Sequence, residues 1–310
     1  MPRSSELRIV DPVLTNLVRG YTNAEFIGLN VFPFAPVTKE AGKIPSFGKE
    51  AFLLFNTERA MRAKSNVLPV EARSTIDYAT VEHDAVYPLD YREIEEDEFN
   101  ARVYGSYRAQ SAVLLNAEKQ AADLAFTAGN YPSGSKVTLS GTGQWTSSDA
   151  ASVPIANVRT AMSTVRNKIG KEPNVMVLGY DAFRALQDHS TIIERIKYSM
   201  KGIVTVDLLK EIFGIKNIFI GKGLYVTDAG VMTNLWNDSC AVIYVPEQQG
   251  SVERSVYEPS FGYTLRKKGN PIVDTYMEEG GKIEHLRSTD NFITKIVGSD
   301  AGYLISDTNA

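Results

Sequence analysis

The stretch from Val37 to Tyr91 constrains the fold more than any other part of this chain. It reads as two extended arms around a polar, basic tip, followed at once by a very long helical pattern. One arm is Lys39 to Lys49; the other is Ser74 to Glu82. The stretch has too few apolar residues for a core of its own. A long excursion from a compact domain needs a purpose. A protruding hairpin is most useful when it lies on another molecule.

The pattern after the excursion predicts one helix from Asp90 to Ala128, about 38 residues and ~55 Å long at 1.5 Å per residue. Asp90 and Glu93 form a capping-box pair, and Glu93 to Glu98 place negative charge at the positive end of the helix dipole. This acidic run reads as a solvated helix start. Gly105 and Ser106 mark an expected bend, and Gly129 to Pro132 the stop. Upstream, Asp11 to Phe26 reads as a helix capped by Asp11 with Pro12 at its first position. Leu29 to Val37 is proline-punctuated and reads as an extended arm.

Downstream, Ser133 to Ser152 reads as a polar surface connection with a short strand at Lys136 to Leu139. From Pro154 to Pro246 the rhythm changes to helices alternating with short apolar strands, as in an α/β layered unit. Ser255 to Leu265 and Ile272 to Glu278 read as a hairpin whose tip is the basic run Arg266 to Lys268 before Gly269. Ile283–Leu286, Asn291–Val297 and Tyr303–Ser306 read as closing strands.

Composition narrows the chemistry. A net charge of −4 carries no overall nucleic-acid signature. The single cysteine, Cys240, excludes an intrachain disulfide and a multi-cysteine zinc site, and its apolar setting predicts a buried, inert thiol. No window approaches a membrane span, and Met1 to Val10 is no secretory signal. A reducing cytoplasm is the expected folding compartment. His83, His189 and His285 form no H-E-x-x-H pair and read as structural histidines. There is no G-x-S-x-G elbow, and Gly214 to Gly223 has the wrong spacing for a phosphate loop. Lys43, Lys49, Arg59, Arg62 and Lys64 line the excursion. Three readings stand for the basic clusters: solvated tips, ion pairs to an acidic neighbour such as the Glu93 to Glu98 face, and phosphate contact.

The order of parts resembles the major capsid proteins of tailed bacteriophages, with the fold named after phage HK97. Lys43-Ile44-Pro45-Ser46-Phe47-Gly48-Lys49-Glu50-Ala51-Phe52 is similar to the entry of that family's extension loop, and Thr57-Glu58-Arg59-Ala60 to the turn after it. Phe261 to Gly269 is similar to the strand into its peripheral loop, and Ala301 to Asp307 to its closing strand. The resemblance spans nearly the whole chain.

It implies an α+β capsid fold with these parts: an N-terminal arm (1–36), an extension loop (37–90) and a peripheral domain with a spine helix (91–152). An axial domain follows (153–248), then peripheral strands and loop (249–280), and a return to the axial domain (281–310). It implies self-assembly into hexamers and pentamers of an icosahedral shell around double-stranded DNA, in a virion built in the host bacterial cytoplasm. Implied inter-subunit contacts are Lys43, Phe47, Lys49, Phe52, Arg59, Arg62 and Lys64 in the extension loop. Arg266, Lys267 and Lys268 are implied in the peripheral loop, and Phe32 and Phe34 in the arm. Expected partners are other copies, a separate scaffolding protein, a portal, a decoration protein and weakly held DNA, with no membrane, cofactor, metal or catalysis. Covalent cross-linking through Lys49 or Lys64 is not expected. The rival readings are an encapsulin-like nanocompartment shell and an α/β enzyme.

Overall fold

The computed structural model describes residues 9–21, 23, 25–46, 58–59, 61, 64–66, 75–96, 100–197, 204–247, 259–278 and 280–310. The N-terminal part holds β1 (Ile9–Val10), α1 (Pro12–Arg19), α2 (Gly28–Val31), β2 (Phe34–Val37), β3 (Ala41–Pro45), β4 (Thr75–Ala79), β5 (Val81–Asp90), α3 (Tyr91–Glu96) and α4 (Ala101–Phe126). The α/β part holds β6 (Lys136–Thr138), α5 (Pro154–Ile169), β7 (Val175–Gly179), α6 (Tyr180–Asp188), α7 (Ser190–Ile196), α8 (Val206–Phe213), β8 (Asn217–Gly221), β9 (Leu224–Val226), β10 (Met232–Asn234) and β11 (Cys240–Ile243). The chain closes with β12 (Gly262–Lys267), β13 (Ile272–Met277), β14 (Ile283–Ile296) and β15 (Gly302–Ser306).

The first sheet is built on β14. β5 pairs along one edge, from Ile283 with Asp90 to Phe292 with Val81. β13 and β12 lie end to end on the other edge, with β1 outside β13 and β2 parallel to β12. The second sheet runs β6-β15-β11-β7-β8, and α5, α6 and α8 pack on it. β7 and β11 are buried along their whole length, as expected of strands covered on both faces. Helix α5 starts at Pro154 and ends at Gly170 in the left-handed region, φ 66°, matching the sequence reading.

Several expectations need correction. The long helix is two helices. Asn100 is left-handed, φ 68°, which a right-handed helix cannot continue through, and its side chain caps α4 at the Val103 N–H. The like charges of Glu93 to Glu98 at helical spacing also disfavour continuation. Gly105 and Ser106, the expected bend, both lie inside the continuous helix α4. A Cβ on Gly105 would come within 2.7 Å of the Tyr87 ring and 2.8 Å of Leu286, so this glycine lets α4 close on the β5–β14 sheet.

The N-terminal helix stops at Arg19, not Phe26, because Tyr21 turns to stack on Tyr107 at 5.1 Å. The expected basic-tipped hairpin is absent: β12 and β13 do not pair with each other. Both are antiparallel to β14, with Arg266 opposite Phe292 and Ile272 opposite Thr289. Lys268 to Pro271 is therefore a bulge in an interrupted edge, not a tip between two arms. Finally, the polar connection is not merely superficial. Trp145 is buried within it, and its backbone N–H donates to the Thr308 carbonyl at 2.6 Å.

Candidate assembly surface

The stem of the excursion is an antiparallel ladder, Ala41 opposite Ala79 through Pro45 opposite Thr75. Strand alternation sorts its side chains. Ile44, Ile76 and Tyr78 turn inward onto Tyr263, Leu265 and Val297. Lys43 and Asp77 turn outward, 3.7 Å apart and largely exposed. Ser46 Oγ donates to the Val297 carbonyl (3.3 Å), and the Thr80 N–H to the Glu40 carbonyl (2.7 Å). The stem is thus seated on β12 and β14 by one face only. Farther out, Asn66 Nδ2 donates to the Glu58 carbonyl at 3.0 Å, bringing the two flanks of the tip together. Arg59 and Lys64 are exposed there. Phe47, Lys49, Phe52 and Arg62 lie outside the described residues.

The other expected contact residues are mostly committed within the chain. Phe32 is fully buried, 5.6 Å from the Phe261 ring, and a Cβ on Gly262 would meet it at 2.5 Å. It therefore cannot serve as the expected arm contact. Phe34 is half-buried beneath the Arg266 guanidinium, which sits 3.9 Å above its ring. Arg266 also grips Asp290, with Nε 2.9 and 3.0 Å from the two carboxylate oxygens. Asp290 is buried, so Arg266 is needed at home rather than at a neighbour. Lys267 pairs with Glu40 and ties the bulge to the loop stem. Lys268 is exposed, with its backbone N–H held by the Val37 carbonyl at 2.9 Å.

One position that sequence reading passed over holds these parts together. Glu118 on α4 is buried and accepts three hydrogen bonds, from Ile27 N–H (2.9 Å), Gly28 N–H (2.7 Å) and Trp236 Nε1–H (2.7 Å). One carboxylate thus joins the N-terminal segment at α2, helix α4 and the α/β part. Burial raises its pKa, and the three donors lower it in part. The available signal was an acid inside the apolar stripe Leu114, Ala117, Ala121, Ala125. Two further ion pairs fasten β14: Arg287 to Asp274 on β13 (2.7 Å) and Arg102 on α4 to Glu284 (2.9 Å).

The cysteine and the three histidines make contacts within the fold. Cys240 is buried in β11, and burial pushes its thiol up, away from the reactive thiolate. His189 caps α7: its Nδ1 accepts from the Thr191 N–H at 3.2 Å, so Nε2 carries the proton to Ser152 Oγ at 2.9 Å. Burial lowers its pKa. His83 stacks on Phe292 at 4.4 Å, and His285 on Tyr276 at 4.9 Å. Among the described residues, no group of three His, Cys, Asp or Glu could hold a metal ion, and no helix is long and apolar enough to cross a membrane.

Likeness to known proteins bears on this geometry. The family model described as phage major capsid protein E matches residues 130–290. The major capsid protein of Burkholderia phage BcepMu is 51% identical over 309 residues, covering 100% of both chains. A phage-related protein from Bordetella bronchiseptica, known as a crystal structure, superposes with a TM-score of 0.84 at 31% identity, over 97% of this chain and 98% of that one. The mature capsid of bacteriophage PhiM1 gives 0.56 at 13% identity, over 94% and 89%, which speaks for the fold alone.

Proposed function

We propose, from the premise that this chain belongs to the phage major capsid protein E family, that it builds a shell by lending its extended segments to neighbouring copies. The chain is a phage major capsid protein with the HK97-like α+β fold. Its work on this reading is repeated association rather than turnover. Copies gather into hexamers and pentamers of an icosahedral shell around double-stranded DNA. The outer part of the extension loop (37–90) crosses a neighbour, with Lys43, Arg59 and Lys64 among its contacts, while its returning strand β5 stays on the chain's own β14. Phe47, Lys49, Phe52 and Arg62 are proposed as contacts of the same loop. On this reading the spine helix and the β14 sheet make the peripheral part and the second sheet the axial part. Of residues 281–310, expected to return to the axial domain, β14 goes instead with the peripheral part, because it pairs with β5, β12 and β13, and only β15 joins the second sheet. The shell forms in the host cytoplasm with a separate scaffolding protein, a portal and a decoration protein.

The observation that carries this reading is the one-sided stem. Its inward face is anchored by Ile44, while its outward face offers Lys43 and Asp77 to solvent. A rigid foot with a projecting loop fits neighbours in both five- and six-membered rings. Many weak contacts then hold together, because dissociation must break several at once. The negative net charge keeps the wall from gripping DNA phosphates, whose contacts would bind strongly and with salt dependence. Deleting Gly42 to Asn66 is expected to leave a soluble, folded subunit that forms no closed particle. Normal particles from that deletion, seen by negative-stain microscopy, would remove the loop from the mechanism.

A further inference from the structure

The β9–β10 ribbon leaves an apolar face unused by its own chain. The two strands pair only with each other among the described residues, so both outer edges stay open. Facing residues of an antiparallel pair share a side. Val226 opposite Met232, with Leu224 next along β9, therefore form one surface. These side chains are 57%, 67% and 50% exposed, and Val231 at the tip is 59% exposed. Four large apolar groups exposed within nine residues make a patch of the kind that marks an interaction site.

The ribbon is held at a fixed angle. On its other face, the Tyr225 ring lies under Lys119 Nζ at 5.6 Å. At its foot Leu235 and Trp236 are buried, and the Leu235 N–H donates to the Gly223 carbonyl at 2.9 Å. A Cβ on Gly221 would fall 2.2 Å from the Trp236 side chain, so the foot is packed tight. The core thus directs the apolar face outward.

We propose that this face docks on a second copy of the chain, the tip of one ribbon against the foot of the next. Charge selects that occupant. Lys222 at the foot and Asp228 at the tip are both exposed, and neither has an ion-pair partner among the described residues. Opposite charges at the two ends of an apolar strip match a second strip laid tip to foot. The open edges add unpaired backbone donors and acceptors to the same contact. The proposal rests on the shell-building reading and adds where copies touch, at a place separate from the extension loop.

The test uses the full chain, with wild-type particle formation measured alongside. Val226→Asp combined with Met232→Asp is expected to lower the particle fraction in sedimentation at least roughly tenfold, with an unchanged thermal melt, since a multivalent shell amplifies each weakened contact. Lys222→Glu and Asp228→Lys should each weaken assembly, and the double reversal should recover it. Particles formed normally by the Val226→Asp/Met232→Asp chain would overturn the docking site while leaving the shell reading intact. If that variant melts early, the charge reversal decides: recovery supports the contact, and no recovery overturns it. Failure of the wild-type chain to form particles both alone and when co-expressed with the phage's scaffolding protein would instead overturn the shell reading.

Discussion

Replacing Glu118 by alanine should loosen the joint between α2, α4 and the α/β part. The substitution leaves three buried donors without an acceptor: Ile27 N–H, Gly28 N–H and Trp236 Nε1–H. An orphaned buried donor costs ~1–2 kcal/mol. The buried carboxylate carries a desolvation penalty in the native protein, seen as its raised pKa, and alanine removes that penalty. The balance is a loss of about 3 kcal/mol, or a melting temperature lower by roughly 6–9 °C at ~2–3 °C per kcal/mol for a chain this size. Glu118→Gln keeps one oxygen for Ile27 and Trp236 but turns an amide towards the Gly28 N–H, so it should cost about half as much. The assay is thermal unfolding of unassembled subunits, followed by tryptophan fluorescence, with limited proteolysis across residues 20–27. Burial raises the folded pKa above the unfolded one, so the penalty on the wild type fades as pH falls towards the ordinary carboxylate value. The gap between wild type and Glu118→Gln should therefore widen in mild acid. An alanine variant that melts within 1 °C of wild type, with unchanged proteolysis, would refute the role of Glu118 as the joint.

Other outcomes follow from the same contacts. Arg266→Ala strands the buried Asp290 carboxylate and should destabilise the subunit by about 3–5 kcal/mol in denaturant titration, whereas Lys43→Ala should change it by less than ~0.5 kcal/mol. Gly179→Ala should yield insoluble protein on expression, because the added Cβ would lie 1.5 Å from the Asn237 carbonyl oxygen, and backbone cannot yield that far. His189 has a lowered pKa, so its contribution is present above the ordinary imidazole value and is lost as pH falls through the folded one. A pH series of melting temperatures should show a wild-type decline in mild acid that is shallower in His189→Asn.

Much of the fold was legible because it is local. Helix α5, from Pro154 to the Gly170 cap, follows from apolar spacing and turn chemistry alone. The β3–β4 stem follows from two extended arms around a polar tip. What stayed hidden depends on distant partners. Nothing near Arg266 in sequence shows that Asp290 will be buried beside it, so a structural cation reads as a basic tip. The strand β14 carries Glu284, Arg287 and Asp290, which broke it into separate pieces on inspection; their partners Arg102, Asp274 and Arg266 come from three other elements. Glu118 looks like one more helical acid until the arm and Trp236 close over it. The break at Asn100 turns on one left-handed residue, which helical periodicity cannot register.

The central claim is that copies of this chain complete one another's extended segments. Analytical ultracentrifugation of the full-length chain beside its Gly42–Asn66 deletion, each expressed together with the phage's scaffolding protein, tests it most directly. The account predicts megadalton particles from the intact chain and slow, single-subunit boundaries from the deletion. Equal sedimentation of the two, either as particles or as lone subunits, would contradict it.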